Sequence, residues 1–139
     1  MARLNPYINF RDSARAALDF YHGVFGGELH TTAYSEFGVG EATEADKIMH
    51  GQLDTAKGFT LMLADVPDSM PFEPGSAISV SISGAADEAE LLQGYWDALA
   101  EGATIVEELT QAPWGDSFGM LVDRFGIHWM VNVQGPQAA

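Results

Sequence analysis

Polar and apolar residues follow two rhythms along this chain, a period of two and a helical period, and both recur in the same order. Leu4 to Phe10 is short and apolar-rich and predicts a strand. Asp12 or Ser13 is placed to cap a helix whose apolar stripe is Ala14, Ala17, Leu18, Tyr21, Val24 and Phe25. Gly26-Gly27 ends that helix, and Glu28 to Ser35, rich in Thr and Tyr, predicts a strand. Residues 36–47 are polar, acidic and Gly-containing, which predicts a mobile loop. Ile48 to Asp54 and Phe59 to Ala64 predict two strands joined by a turn at Thr55 to Gly58. Asp65 to Ser76 holds Pro67, Pro71 and Pro74 and reads as a linker.

The same order then returns. Ile78, Val80 and Ile82 alternate with Ser79, Ser81 and Ser83, a half-buried strand over Ala77 to Ser83. Asp87 opens a second helix with the stripe Leu91, Leu92, Tyr95, Trp96 and Leu99, ended by Gly102. Strands come next at Ala103 to Leu109, Phe118 to Val122 and Ile127 to Val133, with turns at Pro113 to Asp116 and Asp123 to Gly126. The tail Gln134 to Ala139 is expected to fray. Both halves read β-α-β-β-β, and a repeat of roughly 65 residues is longer than solenoid periods. We expect one domain over 1–139, with module one at about 1–66, a linker at 65–76 and module two at about 77–135.

Charge and composition narrow the chemistry. The formal net charge is −14, from 20 acidic and 6 basic residues, which disfavours nucleic-acid backbones and anionic membranes as partners. There is no cysteine, so disulfides, thiolate metal sites and a Cys nucleophile are excluded. No apolar run approaches a membrane span, and the N-terminus carries no signal-peptide pattern, so a soluble cytoplasmic protein is expected. No serine lies in a nucleophile elbow.

Several segments together carry a resemblance. They are Pro6 to Phe10, Phe20-Tyr21 with Val24 to Glu28, Met49-His50-Gly51-Gln52-Leu53, Leu61 to Asp65, Trp114-Gly115 with Phe118-Gly119, and Asp123 to Trp129. In this order they resemble the vicinal oxygen chelate superfamily of glyoxalase, bleomycin-resistance and fosfomycin-resistance proteins, and specifically its PhnB-like branch. The resemblance implies an α+β glyoxalase-like fold. In it, two βαβββ modules form a curled mixed sheet around a cavity, with helices outside, and many members are homodimers. Some relatives carry a demethylubiquinone-methyltransferase-like name, but no Gly-rich nucleotide loop supports methyl transfer here.

The resemblance also implies a divalent metal held by His, Gln or Glu on the first and last strands of each module. Carried over one at a time, the slots fall on Pro6 and Met62 in module one, and on Ala77 (or Ser76) and Met130 in module two. None suits a hard divalent cation, so no cofactor is expected. His50, His128, Glu28 and Gln52 remain as candidates for a metal site elsewhere. His22 and His30 read as surface residues.

Strand alternation then suggests what could line a cavity. His50, Gln52 and Asp54 form a polar row on one strand face, either a solvated face or a pocket wall. On the last strand, His128, Met130 and Asn132 share a face, leaving Trp129, Val131 and Val133 to pack under the helix. On the first strand, Pro6, Ile8 and Phe10 are placed inward with Tyr7 and Asn9 opposite, an order that a bulge would reverse. Trp114, on a turn, is either a lid or a cap over the core end. The ligand-binding candidates are thus His50, Gln52, Trp114, His128, Phe10 and Tyr7, with catalytic residues unassigned. Three functions compete: metal-free binding of a small neutral or cationic, aromatic or amphipathic ligand; a superfamily enzyme (lyase, dioxygenase or transferase type) using His50 as acid–base or an unusual metal site; and a dimeric module without a small ligand.

Overall fold

In a computed structural model, residues 2–38 and 45–135 are described. The chain divides into two compact units, Met1–Pro74 and Gly75–Ala139. The first holds β1 (Tyr7–Phe10), α1 (Ala14–Phe25), β2 (Glu28–Ala33), β3 (Ile48–Asp54) and β4 (Thr60–Asp65). The second repeats this with β5 (Val80–Gly84), α2 (Ala89–Leu99), β6 (Thr104–Gln111), β7 (Ser117–Val122) and β8 (His128–Val133). Each unit has one mixed four-stranded sheet, ordered β1-β4-β3-β2 and β5-β8-β7-β6, with only the first pair parallel. The repeated α+β modules inferred from the apolar rhythm are therefore present, with the helix inserted after the first strand in both.

Each helix buries its stripe on one face of its own sheet. In α1 these residues are Ala14, Ala17, Leu18, Tyr21 and Phe25, and in α2 they are Leu92, Tyr95, Trp96 and Leu99. A glycine lies under each helix at an equivalent place: Gly51 pairs with Leu63 on the last strand, and Gly119 with Val131. A Cβ on Gly51 would meet the Leu18 and Leu63 side chains at 3.1 Å. On Gly119 it would meet the Trp96 ring at 2.8 Å and the Leu109 backbone at 2.9 Å. Absence of a side chain at this point lets a large helical residue lie against the strand.

The first module is fastened by one buried carboxylate. Asp65, at the end of β4, is only 3% exposed. Its Oδ1 accepts the Ala14 N–H at 3.0 Å and its Oδ2 accepts the Ile48 N–H at 3.0 Å. The Tyr34 hydroxyl donates to the Asp65 carbonyl oxygen at 2.8 Å. One side chain thus satisfies the first turn of α1 and the start of β3, and its charge suits a helix N-terminus. The expected cap is corrected accordingly. Ser13 occupies the N-cap position but makes no side-chain capping bond, and Asp12 adopts a left-handed φ of 73°. Asp12 instead pairs with Lys47, whose amine is raised above its ordinary 10.5 chiefly by that hydrogen bond.

Other expectations shift at their ends. The strand expected to reach Ser35 stops at Ala33, because residues Tyr34–Phe37 form a 3-10 turn. Residues 39–44, the middle of the expected loop, and 136–139 of the expected frayed tail lie outside the described residues, as does Met1. The start of the Pro-rich linker is held to module one. Arg11 donates to the Met70 carbonyl at 2.6 Å and its guanidinium lies 5.5 Å from the centre of the Phe72 ring. Among the described residues, no helix is long and apolar enough to cross a membrane.

In module two, Asp123 closes the turn before β8. It is buried, accepts from the Phe125 and Ile127 N–H groups, and takes the Trp129 indole N–H at 2.9 Å. Trp129 is accordingly a core residue, 1% exposed.

Two substitutions test this packing. Asp65→Asn keeps the shape but can offer only one acceptor to two buried N–H groups, so it should cost about 3 kcal/mol in urea unfolding. A loss below about 1 kcal/mol would show that the carboxylate is not the fastening. Gly119→Ala should cost about 1–3 kcal/mol, because its Cβ meets backbone as well as the Trp96 ring.

Candidate functional site

Ladder register decides which side chains share the sheet face that α1 leaves uncovered. Tyr7 pairs with Met62 and Asn9 with Ala64, while Met62 pairs with Gln52 and Gln52 with His30. Side chains alternate along each strand, so Tyr7, Asn9, Met62, Ala64, His50, Gln52, Asp54 and His30 lie on the open face. Ile8, Phe10, Leu61, Leu63 and Leu53 lie on the helix face and are buried.

This corrects the reading of the first strand. β1 runs in unbroken register from Tyr7 to Phe10, with no bulge. Phe10 is 2% exposed beneath the helix layer, so it is withdrawn as a ligand-binding residue. Tyr7, 49% exposed, takes the open position. A bulge does occur, but on β3. Thr32 opposes His50 and Ala33 opposes Ile48, leaving Met49 as the extra residue. The extra residue turns Ile48 into the core and keeps His50 on the open face.

Tyr7 and His50, far apart in sequence, meet there. The Tyr7 hydroxyl lies 3.2 Å from His50 Nδ1, and the rings are 5.8 Å apart at 43°. Partial burial holds the Tyr7 phenol above its ordinary 10.0. Gln52 Nε2 donates to both Asp54 oxygens at 3.1 Å, and the Thr60 hydroxyl and Arg3 add to that carboxylate. Asp54 is held below its ordinary 3.8 chiefly by the Gln52 hydrogen bond, against a desolvation effect that raises it. His30 Nε2 lies 3.9 Å from both Glu28 and Asp54 carboxylates.

The remaining candidates lie in the second module. His128 pairs with Val122, Met130 with Met120 and Asn132 with Phe118, so the open face there carries Phe118, Met120, Val122 and Met130 beside His128. Ladder position makes Phe118 the counterpart of His50, and Met120 that of Gln52. Trp114 is 76% exposed on the β6–β7 turn, so it is not a cap over the core end. That turn is held by Ala112 N–H to Asp116 and Gln111 Nε2 to Gly115, and Gly135 N–H reaches the Asp116 side chain. Trp114 and His128 sit toward opposite ends of β7, since Ser117 pairs with Val133 and Val122 with His128. The structure therefore brings Tyr7, His50 and Gln52 together, and separates Trp114 from His128.

Register also decides whether a divalent metal fits. It moves the first-strand slot from Pro6 to Tyr7, beside Met62. In module two it moves from Ala77, which precedes β5, to Ser81, beside Met130. A phenol held protonated, a hydroxyl and two thioethers do not suit a hard cation. The family's expected metal does not fit these slots. Among the described residues, no group of three or more His, Asp or Glu is arranged to hold one.

The Asp54 shift has a direct consequence. A depressed carboxyl stabilises the fold above pH 3.8, and that contribution is lost as pH falls through the lower folded value. Gln52→Leu removes the main cause, so the Asp54 carboxyl should titrate closer to 3.8 in carbon-detected NMR. An unchanged titration would assign the shift to Arg3 and Thr60 instead.

Comparison with known proteins gives consistent results. The family model described as the glyoxalase/bleomycin resistance protein/dioxygenase superfamily matches residues 3–131. The crystal structure of protein PA1353 from Pseudomonas aeruginosa superposes with a TM-score of 0.85 at 32% identity, covering 96% of this chain and 98% of that one. Protein YjdN of Escherichia coli is 26% identical over 141 residues, covering 94% of each chain. A PhnB protein from Bacillus cereus shares the fold, with a TM-score of 0.70 at 23% identity over 95% of this chain and 99% of that one. With its repeated βαβββ modules and this match along nearly its whole length, the chain belongs to the glyoxalase/bleomycin resistance protein/dioxygenase superfamily.

Proposed function

We propose that this chain is a PhnB-like member of its superfamily that binds a small organic ligand, neutral or cationic, without the usual metal. The observation that carries the reading is the grouping of Tyr7, His50 and Gln52 beside Met62 on the open face of the first sheet. A phenol, an imidazole and an amide there offer aromatic faces and hydrogen bonds, which a binding site needs, in place of hard metal ligands. The order of segments around Met49-His50-Gly51-Gln52-Leu53 supports the PhnB-like placement. The charge of −14 makes anions poor ligands.

A second reading has one observation in its favour. The Tyr7–His50 hydrogen bond would orient an imidazole for acid–base work, which suits an enzyme. As in other members of the superfamily, the chain is proposed to be a homodimer, and the exposed Leu4, Phe37, Ile78 and Val106 offer apolar surface for such contact.

Thermal-shift screening against aromatic amines, quaternary ammonium compounds and bleomycin should find stabilising compounds, and His50→Ala should abolish their shifts. An unchanged shift in His50→Ala would remove His50 from the site. Elemental analysis of protein purified without chelator should find less than about one-tenth equivalent of Zn, Ni, Mn or Fe, far below the stoichiometric loading of a true metal site. One tightly bound equivalent would overturn the metal-free reading.

A further inference from the structure

Polar groups on the open face of the first module are committed to one another in a particular way. Gln52 uses its amide nitrogen on both Asp54 oxygens, 3.1 Å from each. This fixes the amide orientation and leaves Oε1, a carbonyl acceptor, without a hydrogen bond among the described residues. Tyr7 and His50 satisfy each other through the hydroxyl and Nδ1. What they leave for a ligand is two ring faces, tilted at 43° with centres 5.8 Å apart, and the second ring nitrogen of His50. Tyr7 and Gln52 flank Met62 in the ladder, so their backbones are about 10 Å apart, with His50 two residues along β3 from Gln52 on the same face.

We infer that this face holds an organic ammonium group against the Tyr7 ring face, beside His50 and the Gln52 carbonyl, a subsite that rests on the small-molecule reading above. A cation within about 6 Å of an aromatic centroid is attracted by the ring's negative face. The free Oε1 adds a negative dipole end, which attracts a cation whether or not the cation carries an N–H. Asp54 and Glu28 oppose each other in the ladder with Arg3 and His30 beside them, and His30 pairs with Gln52, so the ring faces and the Gln52 carbonyl carry the preference rather than net charge on the face. An aromatic ring face also suits a methylated or bulky ammonium better than a small hydrated ion.

The test uses two probes of one shape. These are (4-hydroxyphenyl)trimethylammonium and its uncharged isostere 4-tert-butylphenol, titrated by NMR against the full chain at neutral pH. The ammonium is expected to bind at least about fivefold more tightly, and its methyl protons to show proximity to Tyr7 and His50 ring protons. Tyr7→Leu should weaken the ammonium about fivefold and the phenol less than about twofold. Tyr7→Phe, which keeps the ring and the packing, should keep the preference. Equal or tighter binding of the uncharged probe would overturn the ammonium subsite while leaving a small-molecule function standing. Contacts that avoid Tyr7 and His50 would also overturn it. No binding by either probe overturns it too, and the broader compound screen then decides the parent reading separately.

Discussion

Two backbone N–H groups from distant parts of the first module converge on the oxygens of one buried carboxylate, Asp65. The arrangement of that module depends on this convergence. Asp65 lies on β4 with Leu61 and Leu63 on the helix side, so fastening Ala14 to it sets α1 over that face. Fastening Ile48 to it sets where β3 begins, and the Met49 bulge comes next in the register. The bulge in turn decides that His50 and Gln52 look away from the helix. A buried charge with two directional partners is costly to satisfy by any other arrangement, which makes it a strong constraint on register. Module two manages without it. Val133 takes the position of Asp65, and a 3-10 turn at Ala86–Glu88 leads into α2.

The repeat has one architecture and two surface chemistries. Under the helices the halves match closely, with Tyr21 and Tyr95 buried in the stripes and Gly51 and Gly119 beneath them. On the open faces they diverge. His50, Gln52 and Asp54 stand where module two has Phe118, Met120 and Val122. Packing constrains the helix face, so divergence collects on the other one, where function can be written.

Much of the architecture is legible in the sequence because it rests on periodicity. The stripes of α1 and α2, the alternation of β8 and the polar row His50, Gln52, Asp54 all arise from side-chain spacing. Positions that depend on tertiary partners are not legible in the same way. Phe10 cannot be placed from spacing, because two apolar residues on a four-residue strand do not say which face carries the helix. Counting along the chain puts the first-strand slot on Pro6 and Ala77, where register puts Tyr7 and Ser81. Asp65 reads as the start of a linker, since its partners are 51 and 17 residues away. The meeting of Tyr7 with His50 across 43 residues has no local signature.

The decisive measurement is a chemical-shift map of the ring and amide signals, taken with any stabilising ligand in the presence of excess chelator. The largest changes are expected on Tyr7, His50 and Gln52, with an affinity that chelator leaves unchanged. Binding that vanishes with chelator and returns with an added divalent metal, or a map centred away from these three residues, would contradict metal-free binding on this face.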